Sequence, residues 1–154
     1  MATLATLVGA YLVFSQRPDT SVDAEAWDAQ ARRFFGATLT VSTDGERLAV
    51  TRDGQAPAER PVRARSATDA DRARAAEAEA RMSGGGLGLL ARRCPVVWEV
   101  AREADPDPDA LRIAAMLASV LLGPIVDPHG RDGGPEIFGV KTAREKLATA
   151  AEPR

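Results

Sequence analysis

Residues 108–122 read PDALRIAAMLASVLL, preceded by Asp107 and followed by Gly123-Pro124. Asp107 stands where a helix N-cap belongs, Pro108 fits the first helical position, and the Gly-Pro pair stops the helix. From Leu111 to Leu122 the segment is apolar nearly all round. A helix without a polar face cannot lie on a surface; it sits inside a domain or in an interface. The rest of the chain therefore has to supply layers that cover a buried helix near residues 109–122.

The flanking patterns supply them. Leu4–Ser15 is apolar on both alternating faces and reads as a central strand. No Lys or Arg precedes this run, so it lacks the basic start of a secretory signal. It is also shorter than the roughly 20 residues that span a bilayer. Thr20-x-x-Asp23 reads as the start of a helix over 21–35, with Ala24, Trp27, Ala31 and Phe34 at helical spacing and Gly36 as its stop. Thr38–Ser42 and Arg47–Thr51 flank Asp44-Gly45, a strong hairpin signal. Asp53-Gly54 marks a second turn, and 55–61 reads as a loop. Pro61–Arg65 reads as a short edge strand, which its alternating arginines suit.

Thr68-x-x-Asp71 opens a peripheral helix over 68–81 with an alanine face that ends in Met82. Ser83 to Gly88 ends that helix and reads as a flexible joint, Leu89–Arg93 is ambiguous, and Pro95–Ala101 reads as a strand. Ile125–Asp127 and Glu136–Phe138 read as short strands around a Gly-rich loop. Thr142-x-x-Glu145 has the form of a capping box for a last helix, with Ala143, Leu147 and Ala150 on one face. No linker divides the chain. The expected fold is a single α+β domain over 1–154, with one antiparallel or mixed sheet and helices packed mainly on one face.

Candidate chemistry is sparse. Cys94 is the one cysteine and His129 the one histidine. That excludes an intrachain disulfide and a two-histidine metal site, and it favours a reducing, cytoplasmic setting. Asp127-Pro128-His129-Gly130 offers an Asp/His pair for a metal or a general base, or simply a turn. Cys94, beside Arg92 and Arg93, is a candidate nucleophile or a core thiol. Asp127, His129 and Cys94 together form the candidate pocket. Asp105, Asp107 and Asp109 lack the glycine and glutamate of a calcium loop, so capping explains them better. Gly84–Gly88 lacks the ending of a phosphate-binding loop.

Arg60, Arg63, Arg65, Arg72 and Arg74 form the densest basic stretch, a candidate interaction surface. No aromatic residues interleave with them, and the net charge is −2. Nucleic acid is disfavoured as a partner on both grounds. Trp27 and Trp98 read as core. No catalytic residues, no metal and no cofactor are expected, and no membrane partner.

LLGPIVDPHG (121–130) and EIFGVKTAREKL (136–147), with AYLVFS and VVWEV before them, resemble small bacterial α+β domains of uncharacterised, immunity or accessory type. The resemblance implies action by binding another protein or a second copy, and it transfers no catalytic residue. The expectation is a non-catalytic interaction module. The alternatives are a small-ligand binder or hydrolytic enzyme with a site near Asp127/His129, and nucleic-acid contact through Arg60–Arg74.

Overall fold

A computed structural model describes residues 9–52, 54–81, 85–104, 107–130 and 134–151. The strands are β1 (Ala10–Ser15), β2 (Ala37–Val41), β3 (Arg47–Arg52), β4 (Ala58–Ser66), β5 (Val96–Ala101), β6 (Ile125–Asp127) and β7 (Glu136–Phe138). The helices are α1 (Ala24–Phe35), α2 (Asp69–Arg81), α3 (Leu87–Arg92), α4 (Pro108–Leu121) and α5 (Val140–Ala151). The strands form one seven-stranded sheet of order β2-β3-β4-β5-β1-β6-β7. All its pairings are antiparallel, and the fold is α+β.

β1 is interior because it is apolar on both faces. Tyr11 and Val13 enter one core, Leu12 and Phe14 the other. The first core is the larger. Here α4 crosses the sheet between α1 and α5. Ile113, Ala114, Ala115 and Leu117 are fully buried there, so the apolar helix is covered within the chain. Trp27 of α1 meets Trp98 of β5 edge to face, with ring centroids 5.5 Å apart. Such a pair adds about 1 kcal/mol beyond the area it buries. The second core lies under α2 and α3 and is built from small residues, Ala75, Ala78, Ala91 and Cys94, against β1, β5, β6 and β7. A small-residue layer lets helix and sheet approach closely but removes less apolar area from water.

Several boundaries differ from the sequence expectation. Helix α1 is capped by Asp23, whose Oδ1 accepts from Ala26 N at 3.1 Å, one turn after Thr20. The C-cap is Gly36 at φ 60°, as expected. The ambiguous segment Leu89–Arg93 lies in helix α3, which starts at Leu87 and has Arg93 as its C-cap. Gly88 lies inside it, where its N donates to Glu79 Oε1 and a Cβ would stand 3.0 Å from the same oxygen. Gly88 is thus a close-packing residue rather than part of a joint; Met82, Ser83 and Gly84 lie outside the described residues. So do residues 1–8, including the start of the first apolar run at Leu4, along with Asp53, Asp105 and the Ala150 side chain. Helix α5 begins at Val140, so Thr142 lies within its first turn and caps nothing; Gly139 O accepts from Ala143 N instead. At Thr68 the reciprocal cap does form: Thr68 Oγ1 accepts from Asp71 N at 3.1 Å, and Asp71 Oδ2 accepts from Thr68 N at 2.8 Å.

The edge-strand reading of Pro61–Arg65 is corrected. β4 spans Ala58–Ser66 in the interior of the sheet. Its first half pairs with β3, up to Arg47↔Pro61, and its second half pairs with β5, from Val62↔Val100. Pro61 sits at the handover between partners, where a missing N–H costs the ladder least. The edges are β2 and β7, and β2 is protected by a side chain. Asp28 Oδ1 accepts from Leu39 N at 2.9 Å, satisfying one outward backbone donor.

Candidate functional site

The three residues of the expected pocket do not meet. Cys94 is buried in the second core, and its Sγ donates to Leu90 O at 3.4 Å. Burial pushes its thiol pKa up to about 11, against a weaker downward pull from Arg72. Arg92 and Arg93 do not supply that pull. In this position the thiol packs as part of the core, away from Asp127 and His129.

Asp127 lies at the end of β6, on the same side of the sheet as Ile125, and is thus turned to the first core. Its Oδ1 accepts from Arg102 Nη1 at 2.8 Å and from His129 N at 3.0 Å. The first bond joins two buried charges, and the Arg102 guanidinium also covers the Tyr11 ring at 4.8 Å. The second is an Asx turn. Asp127 therefore ties the end of β6 to the residue after β5 and shapes the following loop. His129 is left beside Gly9, at the margin of the opposite face.

Beyond the second core, that opposite face is open over β3, β4 and the adjoining ends of β5 and β1, at Glu99–Ala101 and Ala10. There a groove of about 780 Å³ is lined by Arg47, Arg63, Arg65, Arg74, Glu99 and His129. The alternation of β4 creates it: Val62 and Ala64 turn to the first core, Arg63 and Arg65 away from it. Arg63 stands directly across from Glu99, with Nη2 3.3 Å from Oε1. Arg65 Nε reaches Glu99 Oε2 at 2.6 Å, and its Nη1 and Nη2 grip both Asp71 oxygens at 2.6 and 3.0 Å. Those bonds raise the Arg65 pKa further. Burial works against the Asp71 charge, but Arg65 and Thr68 outweigh it and hold the carboxyl below its usual value.

The expected arginine surface is therefore split. Arg63, Arg65 and Arg74 share the groove. Arg72 pairs with Asp69 at 3.4 Å on α2. Arg60 lies on the other side of β4, with Nε and Nη2 each 2.9 Å from the Asp107 carboxylate. Asp107 also accepts from Ala110 N and Glu103 N. Burial opposes its charge, yet these donors keep its pKa below the usual range. Arg60 thus locks β4 to the N-cap of the buried helix. Sequence spacing gave no sign of this, because strand alternation, not proximity along the chain, decides which side each arginine takes.

A second cationic group went unmarked in the sequence. Arg52 at the end of β3, Arg112 on α4 and Arg144 on α5 line a cavity of about 330 Å³ with Phe34, Phe35 and Leu147. The Arg112 side chain is only 8% exposed and has Asp109 at 3.0 Å. Burial lowers its pKa, as does the like charge of Arg52, and Asp109 opposes both. The sole signal in the sequence was an arginine on an otherwise apolar helix.

Among the described residues no three His, Cys, Asp or Glu side chains gather as a metal site, and no helix is long and apolar enough to cross a membrane. Comparison of the chain with known protein families, with curated proteins and with solved structures finds no match.

Proposed function

We propose that the chain is a non-catalytic binding module that presents the open face of β3, β4 and the adjoining ends of β5 and β1 to another protein. The observation that carries this reading is the groove, where Arg63, Arg65 and Glu99 alternate in sign on interior strands. A face of cross-linked opposite charges on a stiff sheet suits selection of one partner surface through complementary charge and rejection of others. The apolar helix does not support the reading, since α4 is buried within its own chain. An immunity- or accessory-type role in a bacterial cytoplasm belongs to the same proposal.

A photo-crosslinking residue in place of Arg63, introduced in the cells that make the protein, tests it. The Arg63 position should give a discrete protein adduct that disappears when Arg74→Glu is added. The same residue in place of exposed Glu25 on α1 should give none. Identical adducts from both positions would overturn the reading.

A second reading, a small-ligand or hydrolytic site, keeps one feature: His129 borders the same groove. His129→Ala separates the two. A binding module retains its adduct and loses no stability, whereas a His129-dependent site loses ligand or turnover.

A further inference from the structure

The cavity lined by Arg52, Arg112 and Arg144 lies apart from the open groove, against α1, α4 and α5. Three guanidinium groups line it, and the carboxylate that reaches Arg112 is Asp109, itself partly drawn toward Arg60 Nη2 at 4.0 Å. Among the described residues neither Arg52 nor Arg144 forms an ion pair; Arg144 rests over the Phe35 ring at 5.8 Å. Asp109 offsets one of the three guanidinium charges, so the cluster keeps an excess of positive charge that an anion entering the cavity would meet.

The cavity is also not closed at its apolar end. A second cavity, of about 640 Å³, shares Phe34, Arg144 and Ala148 with it and continues past Val140 and Ser119. The two volumes adjoin as a shallow trough with Arg52 and Arg112 at one end and Arg144 where they meet; the other end has Phe34, Val140 and Ala148 as its apolar wall and Gln30, Lys141 and Glu145 at its polar margin. Phe34 is among the exposed large hydrophobic residues. An arginine fork matches the oxygen spacing of phosphate and carboxylate, and the ring and alkyl walls match a hydrocarbon body.

We infer that this trough binds a free amphipathic anion, an oxyanion head at Arg52, Arg112 and Arg144 with an apolar tail along Phe34 and Val140.

Calorimetric titration of the full chain with octyl phosphate, octanol and inorganic phosphate tests it. Octyl phosphate should bind saturably. Octanol should not bind, and inorganic phosphate should bind at least about tenfold more weakly, since each contributes only half of the match. Arg52→Gln with Arg144→Gln, which leaves buried Arg112 in place and so preserves the core, should weaken octyl phosphate at least about tenfold, as loss of charge-assisted bonds does. Circular dichroism of that double variant should be unchanged. Absence of saturable binding, equal affinity for inorganic phosphate, or indifference to the double variant would each overturn the assignment. Co-sedimentation with phosphatidic acid vesicles distinguishes the source of the head group. The protein should stay in the supernatant, because Arg112 is recessed; pelleting abolished by the double variant would overturn the free-ligand assignment in favour of a membrane lipid.

Discussion

The arginines of residues 60–74 and the trio Arg52, Arg112 and Arg144 form a contrast. The first group is dense in the sequence and largely neutralised in space, by Asp107, Glu99, Asp71 and Asp69. The second is scattered over three elements, gathers at one cavity, and meets Asp109 through Arg112 alone. Charge density along a chain and charge excess in space are thus different quantities. Strand alternation disperses neighbours to opposite faces, and helix packing collects residues far apart. A lattice of matched charge suits a protein surface, whereas an unmatched cluster with apolar walls suits a small anion.

The largest expected break in this contrast is at Asp107. Asp107→Ala removes the N-cap of α4 and strips the half-buried Arg60 of its two shortest carboxylate bonds, leaving only Glu103 at 3.5 Å and Asp109 at 4.0 Å. Loss of about 3 kcal/mol or more in urea unfolding is expected. Arg47→Ala, which breaks an exposed pair with Glu59 at 2.7 Å, should cost less than about 1 kcal/mol. Equal costs would show that the depth of burial does not separate the pairs.

Acid should weaken the matched pairs in a defined window. Asp71 and Asp107 both have lowered pKa values in the folded chain. Their contribution to stability is fully present above the unfolded carboxylate value of about 4 and is lost as pH falls below it. Unfolding free energy should therefore fall on acidification below about pH 4, and less steeply in Asp107→Asn. An identical slope in the variant would contradict the ion-pair account.

Cys94 sharpens the contrast between the two cores. With its pKa pushed up to about 11, the thiol should be nearly inert to a thiol-disulfide reagent at pH 8 in the folded chain, and should react at once in denaturant. Rapid labelling of the native chain would show that the small-residue core opens readily.

The smallest effect is at Leu122, 63% exposed and at φ 60° as the C-cap of α4. The neighbouring glycine cannot exchange roles with it, because a Cβ at Gly123 would lie 1.9 Å from Phe14 O. Leu122→Gly should stabilise the chain by about 0.5–1 kcal/mol, through relief of left-handed strain. A loss of stability would mean that the exposed side chain makes contacts worth more than the strain.

Much of the fold was legible from local chemistry. Asp107-Pro108 and Gly123-Pro124 bracketed α4, Asp44-Gly45 marked the first hairpin, and the two-faced run at Tyr11–Phe14 marked an interior strand. What was missed depended on partners remote in the chain. The interior position of β4 rests on its change of partner at Pro61, and the helix at Leu87–Arg92 docks on α2 where Gly88 meets Glu79. The candidate site was less legible still. Asp127, His129 and Cys94 lie close to apolar strands in the sequence, but the sheet sends Cys94 to one core, Asp127 toward the other, and His129 to the margin.

The most direct test of the charge contrast is an NMR titration of the labelled chain with octyl phosphate, read residue by residue. Amide shifts concentrated at Phe34, Arg52, Arg112 and Arg144, with those of Arg63, Arg65 and Glu99 unmoved, are the predicted result. Shifts centred on the β4–β5 face, with the α1–α5 trough silent, would contradict the account.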